Sequence, residues 1–315
     1  MMASYPAAPA LSWEDERQRD LAALRARVYD DAQALRTPGD WAARLRLAAL
    51  MPGEDFANIV VIGSRRPGAT MIRDHGQWAA AGRRVRHGEK GIEIFRIPPR
   101  PATARPQDRG EREDDEPQPT WLDADGVDYV WDLSQTTGQP VTAPAGLPPP
   151  GQASAGLWDA LCWLARREGF AVEREYGPPA DGTTFWAVRR IRVLPGLTEE
   201  QAIWALAHQF GHILLHNQPG DHPPGATTSG CTGVRKAEAD SVAYITCARY
   251  GVTPSAELAY PPSWAGRDPR ARPAATILAA GHRITTVTAH ITRHTDRVLR
   301  GDGPPPAILV PAQYP

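Results

Sequence analysis

Residues 198–216, which read TEEQAIWALAHQFGHILLH, decide how the second half of this chain folds. Thr198 and Gln201 have the spacing of a capping box, which predicts a helix over the rest of this stretch. Within that helix, His208 and His212 are four residues apart and therefore lie one turn apart on the same face. Two imidazoles placed in this way are able to bind one metal ion.

A third metal ligand is predicted in the helix that follows, in the segment KAEADSVA at residues 236–243. Two histidines and a carboxylate are the usual protein ligands of a catalytic zinc ion, with water in the fourth position. Glu238 is the carboxylate that this pattern selects. We therefore predict a Zn²⁺ site formed by His208, His212 and Glu238.

The histidine spacing alone is weak evidence for a metal site. The chain contains nine histidines, and three pairs have the four-residue spacing: His208/His212, His212/His216 and His290/His294. The first pair is favoured because its helix also carries apolar residues and the next helix supplies a glutamate. For the last pair we predict a solvated helix face instead.

The residue after the first histidine determines what chemistry the motif supports. A zinc hydrolase of this geometry has a glutamate there, which removes a proton from the metal-bound water. This chain has Gln209, whose carboxamide does not titrate near neutral pH. The pattern therefore predicts metal binding better than it predicts hydrolysis. If hydrolysis occurs, Asp240 or a chain of waters is the alternative base.

The distribution of proline and glycine divides the chain into two predicted domains. The 32 prolines and 28 glycines are many for one compact unit, and they concentrate in linkers. We predict a domain over residues 13–139 with a disordered, charged insertion at about 98–119, a linker at 140–156 and a second domain over 157–300. The alternation of helix and strand patterns places the fold in the α+β class.

The first domain contains a basic segment between Val60 and Arg100, with nine basic and three acidic residues in a protein of net charge −1. Such a segment can neutralise the phosphates of single-stranded nucleic acid, and aromatic side chains can stack on its bases. The alternative is a solvated surface over core aromatics, and helical spacing favours a core position for Trp78. The candidate DNA-binding residues are Arg65, Arg66, Arg83, Arg84, Arg86, Lys90 and Trp78.

Several classes of protein are disfavoured by composition. The net charge of −1 argues against a uniformly basic nucleic-acid binder. Apolar runs are too short to span a bilayer, and the N-terminal residues lack the pattern of a signal peptide. Three scattered cysteines without a CxxC motif indicate neither a disulfide framework nor a thiolate metal site. We therefore expect a cytoplasmic protein with no membrane partner.

Two groups of motifs resemble known families. Residues 204–216 (WALAHQFGHILLH) and 238–244 (EADSVAY) resemble the ImmA/IrrE-like zinc metallopeptidase domain. The first half resembles the single-stranded-DNA-binding domain of ArdC-type antirestriction proteins, in residues 56–70, in GRRVRHGEKG at 82–91 and in WDLSQT at 131–136.

The resemblance implies a fold and a function. It implies a small α+β domain that binds single-stranded DNA, joined to a mainly helical, zincin-like metallopeptidase domain with a small β-sheet. It also implies a cytoplasmic antirestriction protein of a mobile genetic element. Gln209 departs from the family, which has the catalytic glutamate there, and this predicts weak or absent peptidase activity. The alternatives are an active zinc endopeptidase that cleaves a regulatory or defence protein, and an interaction module with a structural zinc.

Overall fold

The helices begin at caps that the sequence supplies. The computed structural model describes residues 12–98, 119–141, 156–177, 180–217, 225–229, 231–253, 258 and 273–300. Capping boxes start four of the helices, after Ser12, Thr37, Asp74 and Thr198. The last of these is the box that the Thr198/Gln201 spacing predicts. The helices are α1 (Trp13–Gln33), α2 (Pro38–Leu50), α3 (Phe56–Arg65), α4 (His75–Ala80), α5 (Leu157–Arg167), α6 (Glu199–Leu215), α7 (Gly233–Arg249) and α8 (Pro273–Leu299).

The strands form three small sheets. Their bounds are β1 (Ile72–Arg73), β2 (Arg83–Val85), β3 (Ile92–Arg96), β4 (Gly126–Asp132), β5 (Thr136–Gly138), β6 (Ala171–Arg174), β7 (Gly182–Phe185) and β8 (Arg190–Val193). The sheet orders are β1-β4-β3, β2-β5 and β6-β8-β7. All pairs are antiparallel except β6 with β8, which run parallel. The structure is thus mixed helix and sheet, as the α+β prediction states.

The described residues group into two units that interleave along the sequence. The first unit comprises residues 12–35, 55–98, 119–141 and 273–282, and the remaining described residues form the second. Residues 36–54 therefore group with the second unit, although the predicted first domain spans 13–139. The predicted insertion lies outside the described residues except at its ends, as does most of the predicted linker. A division into separately folding domains stays a prediction.

In the first unit, α1 and α3 pack against the β1-β4-β3 sheet around a fully buried apolar core. Asn58 of α3 is buried, and its side chain forms hydrogen bonds with the backbone of β3. Its Oδ1 accepts a hydrogen bond from the N–H of Phe95, and its Nδ2 donates to the carbonyl of the same residue. A single side chain thus satisfies both backbone groups at that position of the strand.

Asp132 fixes the turn at the end of β4 in the segment WDLSQT. Its carboxylate is 1% exposed and accepts hydrogen bonds from the N–H groups of Thr70, Met71 and Ser134. Burial alone would raise the pKa of Asp132, but these hydrogen bonds and the one from the Ser134 hydroxyl outweigh it and lower the pKa below the ordinary value. This part of the family-like motif therefore organises the backbone.

In the second unit, α6 packs against α7 on one side and against β7 and β8 on the other. β7 ends at Phe185, and a turn leads into β8. The strands β1, β2 and β5 are only two or three residues long and carry little sequence pattern. Within the described parts of the chain, no helix is long and apolar enough to cross a membrane.

Replacing Asp132 with alanine leaves several buried N–H groups without an acceptor. We expect Asp132→Ala to lower the free energy of unfolding by about 2–3 kcal/mol, measured by urea denaturation of the full chain at pH 7. Because the folded-state pKa is lowered, this contribution is present at neutral pH and is lost as the pH falls below about 3.9, the ordinary Asp value. The exposed neighbour Asp128, in the same strand, is the control, and equal effects of Asp128→Ala and Asp132→Ala would contradict this role.

Candidate metal centre and nucleic-acid interface

The candidate metal ligands are positioned by a close approach of α6 and α7. Gly211 lies between the two histidines of the HQFGH motif, and a Cβ atom placed on it would lie 2.5 Å from the Cα of Ala239. No side chain fits in that space, so glycine permits the contact. Ala239 stands between Glu238 and Asp240, and the contact therefore brings both carboxylates to the histidine face of α6.

Three metal-binding atoms meet at this contact. The Nε2 atoms of His208 and His212 are 3.1 Å apart, and the Sγ of Cys231 is 3.4 Å from the Nε2 of His208. All three donor atoms lie within 4.8 Å of one another. The structure thus brings together His208 and His212, as predicted, and adds Cys231. The scattered cysteine spacing did not indicate this position of Cys231, because Cys231 lies outside α6 and local spacing does not relate it to His208.

Asp240 controls the proton of His208. Its Oδ1 is 2.8 Å from the Nδ1 of His208, and its second oxygen accepts a hydrogen bond from Lys236. Burial alone would lower the pKa of His208, but the hydrogen bond to Asp240 and the contact with Cys231 raise it to about 8. In the neutral ring the proton sits on Nδ1 and the Nε2 lone pair faces His212. Asp240, the alternative base of the sequence analysis, thus contacts the ring of His208 directly.

Glu238, the predicted third ligand, is placed beside a different histidine. Its Oε2 lies 2.9 Å from the Nε2 of His216, and its Oε1 accepts from the guanidinium of Arg283. Burial would raise the pKa of Glu238, but the hydrogen bond from His216 and the charge of Arg283 outweigh it and lower the pKa. The described cluster of metal-binding atoms consists of His208, His212 and Cys231 and does not include Glu238.

The cluster suits a cation. The two Nε2 atoms face each other at 3.1 Å, and two facing lone pairs at that distance repel unless a cation or a proton lies between them. Imidazole nitrogen and cysteine sulfur are ligands that zinc prefers, and three protein ligands leave the fourth position open. The donor set therefore fits a zinc ion.

Gln209 is a buried structural link. Its Oε1 accepts hydrogen bonds from the hydroxyls of Thr184 at 3.0 Å and Thr228 at 2.6 Å, and its Nε2 donates to the carbonyl of Gly182 at 3.1 Å. The side chain is 2% exposed. Its carboxamide thus joins α6 to β7 and to the segment that carries Cys231. It contains no group that accepts a proton near neutral pH.

Two cavities reach the donor atoms. A cleft of about 290 Å³ is lined by His208, Gln209, Cys231, Trp204 and Lys236. A second, polar cavity of about 280 Å³ reaches His212 and Cys231 from the side of Trp186, Ser229 and Arg235. The cluster is therefore accessible to a small molecule or to water.

The predicted DNA-binding residues of the first unit differ in their availability. Arg83 binds backbone carbonyls of Thr136, Gly138 and Gln139, so its guanidinium holds β2 against β5. Arg86 forms an ion pair with Glu89, and Arg66 lies 3.9 Å from the same carboxylate. Arg83 therefore has fewer N–H groups available for a phosphate, and the carboxylate of Glu89 partly compensates the charges of Arg66 and Arg86.

Three other predicted cations are exposed. Arg65, Arg84 and Lys90 have no carboxylate partner among the residues that the structure describes. Arg65 and Lys90 line a groove of about 370 Å³ that also contains Arg27, Arg66 and the carboxylates of Glu89 and Glu93. Glu93 pairs with Arg27, and Glu89 lies near Arg66. Arg65 and Lys90 are therefore the groove's cations without a carboxylate partner among the described residues.

Trp78 is a core residue. Its ring is fully buried, and its indole N–H donates to the carbonyl of Trp131 at 2.9 Å. Phe95 is also buried, at 2% exposure. Neither ring is accessible for stacking on a nucleic-acid base. Both aromatics are therefore core residues, as the alternative interpretation states. Tyr129, at 49% exposure, is the accessible aromatic of β4 that the sequence analysis missed.

The solved structures that are similar to this chain include two crystal structures of the antirestriction protein ArdC from plasmid R388. The Mn(II)-bound structure is 18% identical, with a TM-score of 0.46, and the match covers 80% of this chain and 96% of that chain. The metal-free structure is 16% identical, with a TM-score of 0.43, covering 76% and 85%. No protein-family model matches this chain, and neither does any curated protein.

The contacts of Gln209 predict that a glutamate is poorly tolerated there. Gln209→Glu places a carboxylate oxygen against the carbonyl oxygen of Gly182 and removes one hydrogen bond. We expect a loss of about 1–3 kcal/mol in the free energy of unfolding, measured by urea denaturation at pH 7. Gln201→Glu, on the same helix, is the matched control, because glutamate also serves at that capping position. A Gln209→Glu variant as stable as wild type would show that these hydrogen bonds contribute little.

Proposed function

We propose that this protein binds single-stranded DNA in the manner of ArdC-type antirestriction proteins and carries a zinc-binding, metallopeptidase-like unit with weak or no peptidase activity. The observation that carries the proposal is the meeting of three metal-binding atoms, from His208, His212 and Cys231, on the helix whose sequence resembles the ImmA/IrrE-like motif. The DNA-binding part rests on the resemblance of the first half and on its exposed cations.

We propose zinc as the metal and Cys231 as its third protein ligand. Two imidazoles with a thiolate favour zinc over oxygen-preferring ions such as Mg²⁺. When bound, zinc polarises a water or a carbonyl oxygen. The chain's own residues supply the support: Asp240 accepts a hydrogen bond from Nδ1 of His208 and leaves its Nε2 free to bind the metal. Glu238 is the alternative third ligand.

Two features argue against efficient proteolysis. Gln209 supplies no general base, and loss of such a group costs about 10²–10⁴ in rate. The outer edge of β7 is also occupied. Thr184 exchanges hydrogen bonds with Thr228 through both its N–H and its carbonyl, and the Gly182 carbonyl accepts from Gln209. A peptide that binds as an added strand needs such an edge to be free.

Metal analysis of the purified full-length chain tests the zinc site. We expect one bound zinc ion, with its content strongly reduced in His208→Ala and Cys231→Ala. Cys162→Ala is the matched control, because burial raises the pKa of Cys162 to about 11 and keeps that thiol protonated. Removal of zinc by a chelator should lower the melting temperature, since bound metal stabilises the native state by mass action.

Two results would contradict the proposal, the first its zinc site and the second its weak or absent peptidase activity. One is a wild-type protein free of zinc whose melting temperature does not change in chelator. The other is zinc-dependent proteolysis by the wild type that is lost in His208→Ala, which would support the active-endopeptidase alternative. If Cys231→Ala retains zinc and Glu238→Ala loses it, Glu238 and not Cys231 is the third protein ligand of the zinc ion.

Salt dependence tests the DNA-binding groove. Binding of an oligonucleotide to the full chain should weaken with salt by about 0.7 in log–log slope per phosphate contact. Arg65→Ala and Lys90→Ala should each reduce that slope and weaken the binding of oligonucleotides of every sequence to the same extent. Arg19→Ala is the surface control, because Arg19 lies on α1 beside Asp20 and outside the groove. Binding that is absent, or that does not respond to salt, would remove the DNA-binding part.

A further inference from the structure

We propose that Glu238 acts on the metal centre through His216, and that these two residues fix the proton and the ring orientation of His212. This inference rests on the proposed zinc site and assigns positioning roles to two residues that do not bind the metal themselves. It also gives the predicted ligand Glu238 a different role.

The first step is the anchoring of Glu238. The side chain is 3% exposed, and both carboxylate oxygens are engaged: Oε1 by Arg283 and Oε2 by His216 at 2.9 Å. A buried carboxylate is stabilised by such charge-assisted hydrogen bonds. Because an ionised carboxylate only accepts hydrogen bonds, the Nε2 of His216 must be the donor.

The second step follows from the chemistry of a neutral imidazole, which carries one proton. With that proton on Nε2, the Nδ1 of His216 is an acceptor. It lies 3.1 Å from the Nδ1 of His212, which must therefore donate. The proton of His212 is then on Nδ1, and its Nε2 lone pair points at the Nε2 of His208 and at the metal position.

The two metal-binding histidines thus reach the same tautomer by different routes. His208 donates from Nδ1 directly to the carboxylate of Asp240, and His212 donates from Nδ1 to His216, which donates in turn to Glu238. A hydrogen-bonded partner of this kind orients a ligand histidine and makes it a better donor to the metal. The relay accounts for the third histidine of the 198–216 stretch, which the predicted site leaves unused.

A double-mutant cycle on zinc affinity separates the relay from direct ligation. Zinc affinity of the full chain is measured by competition with a chromophoric chelator for wild type, His216→Ala, Glu238→Ala and the double variant. The relay predicts that each single change weakens binding by about 10–100-fold. It also predicts that the double variant is no weaker than either single one, because both changes break the same chain of contacts.

Direct ligation by Glu238 predicts a different pattern. Glu238→Ala would then weaken zinc binding far more than His216→Ala, and the two effects would add; this result would overturn the relay. His290→Ala is the matched control, because His290 also pairs with a glutamate, Glu168 at 3.0 Å, on another helix. His216→Gln, which keeps one donor and one acceptor, should retain more affinity than His216→Ala.

A second measurement needs no variant. Long-range ¹H–¹⁵N correlation spectra of the histidine rings in the zinc-loaded wild type report where each proton resides. The relay predicts a proton on Nε2 of His216 and on Nδ1 of His212, and a proton on Nδ1 of His216 would overturn it. A wild type that binds no zinc at all would instead defeat the proposed metal site on which this inference rests. Wild-type zinc binding with unchanged affinity in both His216 variants would defeat the inference alone.

Discussion

The centre of the second unit depends on the close approach of α6 and α7 at Gly211 and Ala239. A Cβ atom at residue 211 would lie 2.5 Å from the Cα of Ala239, so any other residue would force the helices apart. At the observed separation, Asp240 meets His208 and Glu238 meets His216. The carboxylates that contact His208 and His216 are thereby fixed by backbone packing between two helices.

This packing places several charged groups where water has little access. Each buried carboxylate is compensated within the unit: Asp240 by Lys236 and His208, and Glu238 by Arg283 and His216. Such compensation is required, because an unpaired buried charge costs several kcal/mol. The same surroundings hold Gln209 between two threonine hydroxyls and a backbone carbonyl. A neutral carboxamide suits these partners and links α6 to β7.

Residue spacing within a single helix was sufficient to predict part of the candidate site. The Thr198/Gln201 capping box, the helix that follows it and the shared face of His208 and His212 all arise from spacing within one helix. Cys231 was not predictable, because it lies outside α6 and no spacing within one helix relates it to His208. The surroundings of Glu238 were missed for a similar reason: spacing selects a helix face but does not say which histidine the carboxylate meets. In the first unit, the sequence could not distinguish exposed arginines from Arg83, whose partners lie more than fifty residues away in the chain.

We propose that His208, His212 and Cys231 form a zinc site. X-ray absorption spectroscopy of the zinc-loaded wild type at the zinc K-edge identifies the ligands, because sulfur and nitrogen scatter differently and at different distances. We expect two imidazole nitrogens at about 2.0 Å and one sulfur at about 2.3 Å from zinc. A shell of nitrogen and oxygen alone, without sulfur, would contradict the proposed site.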